Sequence, residues 1–276
     1  MAIPLEIRET LILAPIDLPV FHPVALRLTL MLADPFSDIS DIIKAINDDQ
    51  ALTMQVLKMA NSSAYMGLVR VETIREAVIR LGARQVSMLA MAASQASLHR
   101  SANEVVNTVM RELWQHSIAC AMGGWWVAMH SGHRSIADQA YLSGLLHDIG
   151  KLYLLKALEF TVAQWEKRIT MDRQLLVEVF DEMHVEQGRR IMEYWNIAPV
   201  YTTVVEQHHA EHYDTVDSLL TITRFVNVTS RKIGLSLSPT PFSKEMIAVE
   251  SGLLDLDREQ CRQLEEAMTG HSEVEM

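Results

Sequence analysis

The chain reads as an all-α protein folded into two helical lobes, and three features of the sequence predict this. Strand signals are nearly absent, with no Asn-Gly or Asp-Gly hairpin and no sustained alternation of β-branched residues. Helical periodicity recurs along the whole length. Glycine is sparse, 11 of 276 residues, and Gly67 and Gly82 fall at expected helix ends, where a left-handed residue is favourable.

The elements follow in order. Pro23 to Asp34 is expected as a helix opened by His22-Pro23 and closed before Pro35. Ser40 to Asn47 carries Ile39, Ile42, Ile43 and Ile46 on one stripe, and Ala51 to Asn61 repeats the pattern through Leu52, Val56, Leu57 and Met59. Thr73 to Leu81 and Ala83 to His99 complete the first lobe. The polar stretch His99 to Glu104 is the expected seam. Helices are then expected over Val105–His130, Ile136–Leu158, Asp172–Met183, Val185–Trp195, Pro199–His209 and Asp217–Ile233. A Ser/Pro-rich loop from Leu235 to Pro241 precedes two short amphipathic helices. The expected division is residues 1–100, 101–235 and a C-terminal helical extension over 236–276.

Composition narrows the function. With 49% hydrophobic residues the chain can bury a large core, which excludes a disordered tail as its main content. A net charge of −11 argues against a general nucleic-acid or anionic-membrane surface. No apolar run approaches the roughly 18–20 residues of a membrane span. Two distant cysteines, Cys120 and Cys261, make no disulfide framework. No secretory signal pattern opens the chain, so a soluble cytoplasmic protein is expected.

Two tempting motifs read as ordinary core. Ile39–Ile46, a turn at Asp48-Asp49 and Leu52–Met59 have helix-turn-helix spacing. The second helix, however, offers only Gln55 and Lys58 among apolar neighbours, so a helix pair of a bundle is the better reading. The 16 methionines are core fillers.

The chemistry lies in the second lobe. Glu112 and His116 are four apart and share a helix face. His147-Asp148 is embedded in the apolar run SGLLHDIGKL. His184 follows Asp181-Glu182 at an expected helix start, and His208-His209 end another helix. Any one of these is an ordinary core or surface residue by itself. Their conjunction is not, because an ionised carboxylate inside an apolar helix needs a compensating cation. Four imidazole-bearing segments with two carboxylates suit one or two divalent ions such as iron, manganese, zinc or nickel.

These residues carry a resemblance. LPVFHPVALRLTLMLADP, DDQALTMQVLKMANSSAYMG and IREAVIRLGARQVSMLAMA resemble the N-terminal part of the HDOD family of bacterial signalling proteins. LWQHSIACA, AYLSGLLHDIGKLYLL, MHVEQGRRIMEYWNIAP, the double histidine and RFVNVTSRKIG resemble its HD-like part, so the similarity runs over residues 15–235. HDOD domains are kin to the HD metal-dependent phosphohydrolases and to the HD-GYP phosphodiesterases of cyclic di-GMP.

That kinship implies metal ligands at His116, His147, Asp148, His184, His208 and His209, a further ligand at Glu112, and a phosphate-contacting lysine at Lys151. Asp148 and Lys151 are the expected catalytic residues. The sequence departs from the HD-GYP pattern after the double histidine, where AEHYDTVDSL replaces the GYP segment. Asn227 stands where the HD pattern has its last aspartate, with Asp214 and Asp217 as nearby alternatives. Asparagine ligates through its carbonyl oxygen but brings no charge. The resemblance implies a metal-dependent phosphohydrolase acting on a phosphoester or nucleotide. It equally implies a non-catalytic regulator that binds a signalling protein or a ligand through the same fold. A third reading makes the histidines purely structural contacts in a helix bundle.

Overall fold

The computed structural model describes residues 3, 5–17, 22–24, 27–28, 31, 36–62, 65, 67, 69–162, 171–237 and 244–270. All regular structure among them is helical, which bears out the expected fold class. None of these helices is long and apolar enough to cross a membrane. The chain divides into two compact units, residues 20–98 and residues 1–19 with 99–273.

In the smaller unit, helix starts are written in the capping residues. Asp38 caps α2 (Ile39–Asn47) and Asp49 caps α3 (Gln50–Ala60), each accepting a main-chain N–H of the first turn. Thr73 and Glu76 form a reciprocal capping box on α4 (Ile74–Leu81). Gly82, at φ 85°, then turns the chain directly into α5 (Ala83–Ala96), a backbone angle that disfavours other residues. Ile42, Ile46, Val56, Ile74 and Val86 are buried, as the periodicity requires. The helix expected over Pro23–Asp34 falls largely outside the described residues.

The larger unit is built around α6 (Glu104–His130), a long helix capped by Asn103. Against it lie α7 (Ala137–Leu146), α11 (Ser218–Lys232) and α13 (Arg258–Gly270). Next come α8 (Ile149–Val162) with α9 (Arg173–Tyr194), then α10 (Pro199–Gln207) and α12 (Lys244–Leu253). A helix absent from the sequence reading, α1 (Leu5–Leu13), packs on α8. It buries Ile7 and Leu11, and Tyr153 Oη donates to the Ala14 carbonyl at 3.1 Å. Nine residues are too short to hold a helix on propensity alone, so these distant contacts supply it.

Two boundaries differ from expectation. The single helix expected over Ile136–Leu158 is broken at His147-Asp148, between α7 and α8. Conversely, α9 runs unbroken through the expected break at Met183–Val185, so His184 is a mid-helix residue. Asp181 and Glu182 resemble a helix start but are exposed residues on its outer face. Leu176, Val179, Phe180, Met183, Gln187 and Ile191 form one buried stripe that continues past them.

Candidate metal centre

Five helices of the larger unit and the break between two of its helices carry the expected site residues. α6 provides His116, the α7–α8 break provides His147 and Asp148, and the first turn of α8 provides Lys151. His184 lies in the middle of α9, His208 caps the C-terminus of α10 with His209 after it, and Asn227 lies on α11. Glycines allow the helices to approach. A Cβ at Gly144 of α7 would overlap the main chain of Cys120 on α6. One at Gly150 of α8 would overlap the His184 carbonyl oxygen and press on the Gly188 nitrogen of α9. These crossings are backbone to backbone, so no side chain can yield.

The imidazoles converge on Asp148 from two directions. His116 Nε2 is 3.1 Å and His147 Nε2 is 3.4 Å from Asp148 Oδ2, and the two ring nitrogens are 3.0 Å apart. Lys151 Nζ donates to the same oxygen at 2.6 Å. On the other side His208 Nε2 is 3.4 Å and His184 Nε2 is 3.7 Å from Oδ1. The donor atoms of Asp148, His184, His208 and His209 all lie within 4.8 Å of one another. His116, His147, Asp148, His184 and His208 are buried, and His209 is the exposed member.

The far nitrogen of each buried ring is tied to a main-chain carbonyl, which turns Nε2 toward Asp148. His116 Nδ1 donates to the Leu235 carbonyl at 2.8 Å and His147 Nδ1 to the Gly144 carbonyl at 2.8 Å. His184 Nδ1 donates to the Phe180 carbonyl at 2.5 Å and His208 Nδ1 to the Val205 carbonyl at 2.8 Å. A carbonyl can only accept, so Nδ1 holds a proton in each ring. At His184 and His208 this leaves Nε2 as a lone pair free to ligate, whereas the 3.0 Å contact of the His116 and His147 Nε2 atoms requires a proton on one of them, which a bound ion would displace. This is how metal-binding histidines are ordinarily oriented.

The donor set fits a divalent ion. Asp148 Oδ1, His184 Nε2 and His208 Nε2 are buried and have no hydrogen-bond partner. Buried polar atoms are rarely left so, and three facing one another ask for a shared cation. Donor atoms around a tetrahedral ion with bonds of about 2.1 Å stand about 3.4 Å apart, close to the separations seen here.

Electrostatics separates the rings. Burial, helped by the Lys151 charge, depresses His184 to about 3, and burial holds His147 well below the ordinary histidine value. For His116 burial is outweighed by Cys120 and the Asp148 carboxylate, and its pKa rises to about 10. Burial of Asp148 is likewise outweighed by Lys151 and the neighbouring histidines, so it stays ionised well below the usual carboxylate range.

Not every expected ligand joins the cluster. Glu112 is ion-paired with Arg173 at 2.7 Å and lies outside both groups of converging donors. Asp214 and Asp217 accept the main-chain N–H groups of Val216 and Leu220, so Asp217 is occupied as the cap of α11 and Asp214 in the turn before it. Asn227 is buried, and its main-chain carbonyl accepts from Ser230 Oγ, which lies 3.2 Å from His116 Nδ1. Cys120, not among the expected ligands, sits one turn from His116. Its sulfur is 3.8 and 3.9 Å from the two ring nitrogens, so it does not lie along the Nε2 lone pair.

Residues 18–211, more than half of the chain, match the HDOD domain. The chain belongs to the HDOD family. An uncharacterized protein of Treponema pallidum (strain Nichols) is 26% identical over 222 residues, 78% of this chain. The HDOD protein described here spans 42% of the length of that curated relative. Among solved structures, an HDOD domain protein with unknown function from Geobacter sulfurreducens is 22% identical with a TM-score of 0.69, covering 97% of this chain and 88% of that one. A Shewanella amazonensis SB2B protein, provisionally named a metal-dependent phosphohydrolase, is 22% identical with a TM-score of 0.69 and 97% coverage of both chains. A Marinobacter aquaeolei VT8 protein, provisionally named for signal transduction, is 21% identical with a TM-score of 0.68, covering 94% of this chain and 60% of its own. At these identities the solved structures establish the shared HDOD fold alone.

Proposed function

We propose that this HDOD protein is a bacterial signalling protein that holds divalent metal at Asp148 and hydrolyses a phosphoester or nucleotide. The observation that carries this reading is Asp148 itself. Each of its carboxylate oxygens is faced by a separate pair of imidazoles whose Nε2 atoms point inward. His116 and His147 would hold one ion with Oδ2, and His184, His208 and His209 another with Oδ1. Asn227 would complete the first side through its amide oxygen. A nitrogen-rich set with one carboxylate suits iron, manganese, zinc or nickel. Such ions supply Lewis acidity toward phosphoryl oxygens and acidify water.

The chain's own residues do the rest. Lys151 supplies a second positive charge beside Asp148, placed to attract an anionic phosphate and offset charge on its oxygens. Burial of four rings keeps bulk water from weakening these interactions. Exposed His209 marks the solvent-facing side, by which substrate would arrive. The names of the Shewanella and Marinobacter proteins agree with a phosphohydrolase in signalling.

The test is hydrolysis of bis(p-nitrophenyl) phosphate and of cyclic dinucleotides by metal-loaded protein and by Asp148→Ala. Wild type should turn over at least one of them and the variant none. Equal background rates from both would end the enzyme reading. A second reading, a regulator that binds metal and a signalling protein without turnover, has its own support. Lys151 is committed to Asp148, and Asn227 brings no charge to the first side.

A further inference from the structure

Arg224 is a buried residue of α11 that holds the segment carrying the double histidine. Its Nη1 donates to the carbonyls of Gln207 at 3.2 Å, His208 at 3.2 Å and Ala210 at 2.9 Å. These carbonyls lie at the C-terminal end of α10, where intrahelical donors run out and the helix dipole favours a cation. Arg224 Nε donates to Glu250 Oε1 at 2.9 Å, and the Tyr213 hydroxyl donates to Glu250 Oε2 at 2.5 Å. The Tyr213 ring centroid lies 3.9 Å from the guanidinium carbon. One side chain thus fastens the chain from Gln207 to Tyr213 at four points. Its orientation is fixed by Glu250, a buried carboxylate on α12, beyond the residues matched to the HDOD domain.

A buried ion pair is a weak source of stability, since apolar residues of equal volume often serve as well. Stability alone therefore does not account for the arrangement. What it does fix is main-chain position at His208, whose ring is anchored on the main chain at Val205, and at His209 beside it.

We propose that Arg224, locked by Glu250, is the positioning residue for His208 and His209, and that α12 thereby sets metal affinity on the Oδ1 side of Asp148. The affinity part rests on the metal-binding reading given above; the positioning part does not.

The experiment uses the full chain with Glu250→Gln, Arg224→Lys and the double substitution Arg224→Met/Glu250→Gln, which strands no buried charge. Imidazole ¹H–¹⁵N spectra of metal-free protein come first, then zinc titrations that resolve the two sides. The expected result is a change in the His208 and His209 resonances with those of His116 and His147 unmoved. Affinity on the Oδ1 side should fall about tenfold or more, as is usual when a group supporting a ligand is removed. Four imidazoles moving together, or none moving, would overturn the proposal, as would equal weakening of both sides. Wild type that takes up no zinc overturns the metal-binding reading and the affinity claim with it, while the metal-free spectra still judge the positioning claim.

Discussion

On the Oδ2 side of Asp148, His116 and His147 touch each other at 3.0 Å and Lys151 sits 2.6 Å from the oxygen. On the Oδ1 side, His184 and His208 stand 3.7 and 3.4 Å away, and no hydrogen bond joins them to the carboxylate. Both sides use the same residue types. They differ in where the compensating positive charge comes from. Lys151 already neutralises part of one side, whereas the other presents unpaired donors to a cation from outside. On the proposed reading the two sides differ in appetite for metal, and the Oδ1 side is expected to fill first.

The largest expected effect removes what the sides share. Asp148→Ala should abolish uptake on both, and metal analysis of protein purified without chelator should find less than about 0.2 equivalents after reconstitution. Retention of one full equivalent would show that one side does not use the carboxylate. Gly150→Ala comes next. Its new methyl overlaps the His184 carbonyl, so α8 and α9 must separate, at about 1–3 kcal/mol of stability by analogy with overpacked cores. The melting temperature should fall and the Oδ1 side should weaken more than the Oδ2 side. Lys151→Met removes the competing cation, so calorimetry should record tighter metal binding on the Oδ2 side while phosphoester turnover is lost. Unchanged affinity there would mean that the lysine does not compete. The smallest effect belongs to Asn227→Asp, which adds a negative charge on α11 and, if that side chain faces the ion, should tighten only the Oδ2 side. No change would place that side chain away from the ion.

Residue chemistry made much of the centre readable from sequence. A His-Asp pair inside an apolar run has few quiet explanations, and burial of Asp148 agrees with the expectation of a compensated carboxylate. Helix ends were legible wherever Asp, Thr or Asn caps them, as at Asp38, Thr73 and Asn103. Periodicity could not show the break at His147-Asp148, because buried residues continue across it on both helices. The same limit hid the continuity of α9, where two exposed acids imitated a helix start. The roles of Gly144 and Gly150 were unreadable, since a glycine at a helix crossing has no local signature. Arg224 and Glu250 are 26 residues apart and meet only through the fold. Glu112 is the opposite case: helix spacing sets it one turn from His116, and in the structure its carboxylate pairs with Arg173.

An anomalous-scattering map from crystals grown with manganese addresses the two-sided centre most directly. The account predicts two peaks flanking the Asp148 carboxylate, one beside His116 and His147, the other beside His184, His208 and His209. A map with no peak among these rings, or peaks only at surface carboxylates, would contradict it.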